Sequence, residues 1–195
     1  MTGSPASPAP AVLRAADLRA TPWGGGTVRE IATGGGDPGG GAGWRLGLAD
    51  VEGPGELSPV PGTERVLTVV DGELLVLDVD GREQGLERHR PFRLPGDVPV
   101  AAALPTGPVR VLDVVARREA VRAHVVVLEL SKKRPHPVFA GQFAVLLAGR
   151  AVVTADGAET GLAVYDTVRG AEPESPEITG RGFLAVVSLD PVTPS

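Results

Sequence analysis

The chain has 195 residues, enough for one large or two small domains with a sizeable buried core. Hydrophobic residues make up 42% but aromatics only 4%, so the core must be aliphatic, and 27 Gly with 19 Pro suit many short strands and turns. The lack of Cys excludes disulfides and thiolate metal sites and fits a reducing cytoplasm, while a formal charge of −5 disfavours a nucleic-acid backbone as the main partner.

The stretch from Met1 to Pro10 is rich in Ser, Ala and Pro, with no basic start leading into an apolar run. It reads as a disordered tail over residues 1–11 rather than a signal peptide. Val12 to Leu18 reads as a strand followed by a helical turn. Thr27 to Ala32 reads as a strand with Val28 and Ile31 as its apolar members. Gly34 to Gly41 has almost no side chain to bury and reads as a hairpin tip. In Trp44 to Val51, Trp44, Leu46 and Leu48 alternate with Arg45, Gly47 and Ala49, the pattern of a half-buried strand. Pro54 to Gly62 is a Pro/Gly loop. Asp71-Gly72 is predicted to be a two-residue hairpin turn. Pro91 to Asp97 carries another turn before a strand at Val98 to Leu104. Val109 to Ala116 and His124 to Leu130 are further strands. No apolar stretch reaches the ~18 residues of a membrane span, and helical periodicity is sparse.

One motif occurs twice. Val66–Val76, two apolar runs around Gly72, has the pattern of Phe143–Val153 around Gly149. Asp80-Gly81 then matches Asp156-Gly157, and Gly85-Leu86 matches Gly161-Leu162. Each copy closes on another strand-like run, Val109–Val115 and Phe183–Ser188. A duplicated β unit with glycine turns predicts an all-β fold of two jelly-roll-like barrels, a bicupin, with an immunoglobulin-like sandwich pair as the neighbouring alternative. The expected boundaries are 12–120 for the first barrel and 121–195 for the second, with strand exchange between them. Leu94-Pro95-Gly96-Asp97 sits where a cupin places its Pro-x-Gly turn.

Six segments in order carry a resemblance to the HutD/Ves family of bicupin proteins. They are Pro22–Ile31, Trp44–Val51, Leu57–Gly62, Glu64–Thr68, Pro91–Pro99 and Leu112–Arg118, the last with the paired arginines Arg117-Arg118. The match in order and spacing runs from about Val12 to Arg118, and the second half matches in strand pattern. Two departures stand out. The family's Lys-Asn pair after Trp23 is absent, and Asp113 stands where the family usually has Asn. If that Asn lends a neutral amide to a pocket, Asp113 changes its charge and hydrogen bonding. The resemblance implies a connection with histidine utilisation, as a sensor or limiter of a pathway intermediate.

Residue by residue, the candidate ligand-binding set is Arg29, Glu30, Ser58, Arg65, Asp113 and Arg117. Arg29-Glu30 lies on a strand beside glycines, where a guanidinium fork and open backbone suit a small carboxylate, although a surface ion pair accounts for it equally well. Ser58 and Arg65 flank the first repeat where a cupin mouth opens, and Arg117 or Arg118 can face inward by strand alternation or remain a solvated strand end. Trp23 and Trp44 can wall a pocket or anchor the core. His89, His124 and His136 are scattered, so no metal centre and no cofactor are expected. No Ser-His-Asp arrangement or carboxylate pair appears, so no catalytic residue is assigned.

The reading is a non-catalytic cytoplasmic bicupin that binds a small anionic metabolite, with no nucleic-acid or membrane partner and with a homodimer left open. The alternatives are a metal-independent cupin enzyme, an isomerase or lyase acting on an acidic small molecule, and a docking protein whose barrels serve only as surfaces.

Overall fold

The computed structural model describes residues 12–23, 25–36 and 42–193. The expected N-terminal tail and the middle of the Gly-rich tip, residues 37–41, lie outside the described residues. The described chain is all-β. Its strands are β1 (Val12–Leu13), β2 (Ala20–Trp23), β3 (Gly26–Gly34), β4 (Trp44–Val51), β5 (Gly55–Leu57), β6 (Thr63–Asp71), β7 (Leu74–Val79), β8 (Arg82–Glu87) and β9 (Phe92–Pro95). They continue as β10 (Val100–Ala103), β11 (Val109–Arg117), β12 (Val121–Glu129), β13 (His136–Pro137), β14 (Gln142–Ala155), β15 (Ala158–Leu162), β16 (Thr167–Arg169) and β17 (Glu177–Pro191). A single 3₁₀ turn, Ala15–Asp17, follows β1, matching the strand-then-turn pattern of that segment.

These strands form three sheets: β2-β3-β4-β11-β6-β9, β5-β10-β7-β8, and a seven-stranded sheet ordered β1-β16-β14-β17-β12 with β13 and β15 as side pairings. Among the described residues no sheet closes on itself. Three aliphatic clusters lie between these layers. Leu67, Val69, Leu75, Leu77, Leu86, Val109 and Val111 fill the space between the six- and four-stranded sheets. Leu46, Leu48, Leu112 and Val114 pack from the other face of the six-stranded sheet onto Phe143, Val145 and Val187 of the seven-stranded one. The third cluster, including Ala144, Leu146, Val153, Ile178 and Leu184, is drawn from the seven-stranded sheet and its adjoining segments, so that sheet curls over its own core.

The same pairing plan occurs twice. β6 pairs with β9 and β11, while β7 pairs with β8 and β10. In the second unit the single long strand β14 makes all the corresponding pairings, with β16 and β17 along its first half and with β15 and β17 along its second. β4 on β11 corresponds to β12 on β17, and β5 on β10 corresponds to β13 on β17. Even the bulges agree: the register slips at Val70 in β6 and at Leu147 in β14. β1 leaves the first unit and pairs with β16 of the second, anchored by Asp166, which accepts hydrogen bonds from Ala15 N–H (2.9 Å) and the Arg14 guanidinium (2.6 Å).

Two turn assignments need correction. Gly72 and Gly149, at φ +85° and +94°, do occupy equivalent places, but neither closes a hairpin. At Gly72 the chain passes from the six-stranded to the four-stranded sheet, and at Gly149 it bends within β14. The two-residue hairpins are Asp80-Gly81 and Asp156-Gly157, where all four residues have positive φ, from +50° to +76°. That is the type I′ geometry for which Asp-Gly is suited. Phe92–Pro95 is a strand on β6 rather than a turn, and the turn falls at Gly96-Asp97.

Candidate ligand-binding site

The six-stranded sheet is buried on both faces, so alternation within its strands separates two interiors rather than inside from outside. On β6, Val66 and Val70 face the seven-stranded sheet, whereas Arg65, Leu67 and Val69 face the four-stranded one. On β11, Asp113 shares the face of Val111, and on β4, Arg45, Gly47 and Ala49 share that face. Small residues at 47 and 49 leave space. The result is a cavity of about 220 Å³ whose lining includes Trp23, Arg45, Ala49, Ser58, Arg65 and Asp113, with Val28, Leu57, Leu67, Leu75 and Val111 as apolar wall.

Two polar groups inside it satisfy each other. Arg65 grips Asp113 with both prongs of its fork, Nη2 to Oδ2 at 2.6 Å and Nε to Oδ1 at 3.2 Å. Both side chains are nearly enclosed, at 12% and 10% exposure. Burial pulls the Arg65 pKa down, but the attraction and hydrogen bonds of Asp113 outweigh it, and the net shift is upward. Two further donors have no protein acceptor. The Arg45 guanidinium takes part in no ion pair among the described residues, and the Trp23 indole N–H is buried without a hydrogen-bond partner among them. With Asp113 neutralised by Arg65, the cavity keeps one net positive charge and an orphan donor.

The rim is held by the loop before β6. Asp97 accepts Gly62 N–H (2.6 Å) and also binds Arg118, Val60 N–H donates to Gly96 O (2.7 Å), and Gly96 N–H donates to Thr63 O (2.8 Å). A side chain at Gly96 would meet Thr63 Oγ at 2.1 Å, so this position requires glycine. This is the Leu94–Asp97 segment noted in the sequence, and it places Val60 and the exposed Ser58 at the cavity edge.

The six candidate residues separate accordingly. Ser58, Arg65 and Asp113 are brought together. Arg29 is placed on the opposite face of the sheet, where it and Arg110 (Nε to Oδ1, 2.5 Å) share Asp50, and Arg110 lies over the Tyr165 ring at 4.8 Å. Burial raises the Asp50 pKa, but the two arginines more than reverse this and hold it below the usual range. Glu30 is exposed on β3, and Arg117 is exposed at the end of β11; neither lines the cavity. Arg45 and Trp23 were not in the set. The clue to Arg45 was its company: it is exposed at the cavity mouth, on a strand whose next alternate positions are the small residues Gly47 and Ala49. Trp44 is a core anchor, its ring 5.4 Å from Phe143. Of the histidines, His124 is exposed on β12, His136 lies on β13, and His89 meets Phe183 in a tilted ring contact at 4.8 Å; no group of metal-ligating side chains gathers among the described residues. Among the described residues no helix is long and apolar enough to cross a membrane.

This architecture defines an all-β protein of cupin-like fold. A cupin 2 conserved barrel domain protein from Leptotrichia buccalis superposes with a TM-score of 0.58 at 8% identity, covering 84% of this chain and 88% of that one. The HutD family model matches residues 15–186, and the chain belongs to that family. HutD from Pseudomonas fluorescens SBW25 superposes with a TM-score of 0.77 at 31% identity, covering 93% of this chain and 98% of that one. Curated relatives are matched over about half their own length. Protein Ves of Citrobacter koseri is 38% identical over 42% of this chain and 44% of its own. An uncharacterized 21.2 kDa protein in the hutC 3′ region of Pseudomonas putida is 34% identical over 58% of this chain and 62% of its own.

Proposed function

We propose that the chain is a bicupin whose first unit binds a small anionic metabolite and which acts in the cytoplasm as a non-catalytic sensor or regulator connected with histidine utilisation. The observation that carries this reading is the cavity between the six- and four-stranded sheets, where, among the described residues, the buried Trp23 N–H has no acceptor and the exposed Arg45 guanidinium no ion-pair partner, beside a neutralised Arg65–Asp113 pair. A carboxylate ligand supplies the missing acceptors, and its carbon skeleton meets the aliphatic wall. At about 220 Å³ the cavity falls below the roughly 300–1,000 Å³ of drug-sized sites, which suits a small metabolite. The cavity's one carboxylate is held by two hydrogen bonds from Arg65, an arrangement that favours binding over general acid–base chemistry. The pathway connection rests on the family name and on the hutC-region relative.

The test is a thermal-shift panel of histidine, urocanate, formiminoglutamate, formylglutamate and glutamate. A ligand present at about 100 times its Kd should add about 2.7 kcal/mol of stability. Stabilisation by one anionic member of the panel supports the reading, and no stabilisation by any member at millimolar concentration contradicts it.

A further inference from the structure

The ion pairs of this protein are unevenly distributed. Among the described residues every one takes its cation from the segment between Arg14 and Arg118. In the second unit Lys132, Lys133, Arg134, Arg150 and Arg181 take part in none. Arg150 on β14 and Arg181 on β17 are moreover direct partners across the ladder, both exposed. Cross-strand partners lie on one face with Cβ atoms about 5 Å apart, and like charges so placed repel. Among the described residues neither arginine forms an ion pair with an acidic residue.

The surroundings form a shallow, open depression. Lys132, Arg150, Val152, Thr179 and Gly180 line a depression of about 390 Å³, within the size range of small-molecule sites. The Lys132–Arg134 turn is fixed beside it: Ser131 Oγ accepts the N–H groups of Lys133 (3.1 Å) and Arg134 (3.2 Å), and Ser131 O accepts Gly180 N–H (3.3 Å). Gly180 lets β17 approach β14 closely here, since a Cβ there would lie 2.3 Å from Arg150 O. The basic character is not a property of the repeat, because aligning Gly72 on Gly149 puts Glu73 in the place of Arg150.

The geometry points to a second ligand site on the outer face of the second unit, where Arg150, Arg181 and Lys132 clamp a small phosphate-bearing anion. Two adjacent guanidinium forks match a tetrahedral oxyanion of charge near −2, and a nearby ammonium adds a point charge. None of these residues touches the cavity of the first unit, so either site can fail without the other.

The experiment is amide chemical-shift mapping of the full chain during titration with inorganic phosphate, with ionic strength held constant by chloride. Saturable shifts are expected at Lys132, Arg150–Val152 and Thr179–Arg181, with Arg150→Gln and Arg181→Gln each weakening phosphate about ten-fold. In phosphate-free buffer Arg150→Gln should be no less stable than the parent, because it removes one member of a like-charged pair. Absent or non-saturating shifts, or an affinity unchanged from the parent's in both variants, would overturn the site. So would a destabilised Arg150→Gln in phosphate-free buffer, since that arginine would then serve the fold.

Discussion

The two units share one strand plan and differ in what their interiors contain. In the curled sheet, Ala144, Leu146, Ile178, Leu184 and Val186 fill the core with aliphatic side chains. In the first unit the positions equivalent to Gln142 and Val186 are Arg65 and Asp113, and that exchange places a charged pair where the second unit keeps a polar rim and a valine. Gln142 Nε2 donates to Ser188 Oγ at 3.0 Å, and its Oε1 accepts Phe139 N–H at 3.0 Å. A shared strand ladder therefore fixes where side chains point, while a few of them decide whether the interior is solid core or a lined cavity.

The sharpest way to break this comparison is to separate the charged pair. Asp113→Leu leaves Arg65 almost buried and unpaired, and should lower unfolding stability by about 3–5 kcal/mol in urea titration. Arg65→Met combined with Asp113→Leu makes the first interior resemble the second, and should recover most of that loss. A double variant as unstable as the single one would mean that the pair holds the fold rather than serving the cavity.

A smaller effect separates binding from stability. Arg45 has no ion-pair partner among the described residues, so Arg45→Gln should leave the melting temperature within a degree or two of the parent's. It should weaken an anionic ligand about ten-fold in calorimetric titration, the typical loss of one charge-assisted hydrogen bond.

The exchanged strand gives a pH prediction. Burial alone raises the Asp166 pKa, but hydrogen bonds from the Ala15 and Ala163 N–H groups and from Arg14 bring it below the usual value. Its folded pKa is depressed, so its contribution is fully present above the unfolded value of about 3.9 and is lost as pH falls through the folded one. Asp166→Asn should therefore flatten the decline of stability below about pH 4, measured by denaturant titration at several pH values.

The smallest effect tests the duplication itself. Gly81→Ala and Gly157→Ala place a Cβ at φ +76° and +73° in open space, so only backbone strain operates. Each should cost about 1 kcal/mol, and the two costs should agree within a few tenths.

Much of this was legible in the sequence because β-strand periodicity is short and the repeat was audible in its glycines. Trp44–Val51 was read to its ends, and Arg65 and Asp113 fall on one face by simple alternation. The turns misled where Asp71-Gly72 offered hairpin chemistry at a corner, since turn chemistry alone does not say whether the chain reverses or changes sheet. Arg29 was misplaced because the bulge at Ile31 and the double-sided burial of the sheet appear only once neighbours are known. Arg45 escaped for the same reason, whereas Trp23 was already legible as either a pocket wall or a core anchor. The polar side of an alternating strand faces solvent only where nothing covers it, and here the four-stranded sheet covers Gly47 and Ala49 and leaves Arg45 exposed at the edge.

The most direct measurement compares interiors by thermal shift with the anion panel on two variants. One is Arg65→Met/Asp113→Leu in the first unit, and the other is Gln142→Leu/Ser188→Ala at the equivalent rim of the second. The account predicts that the first variant loses ligand-induced stabilisation while the second keeps it. Stabilisation that survives in the first and vanishes in the second would place the anion site in the wrong unit and contradict the account.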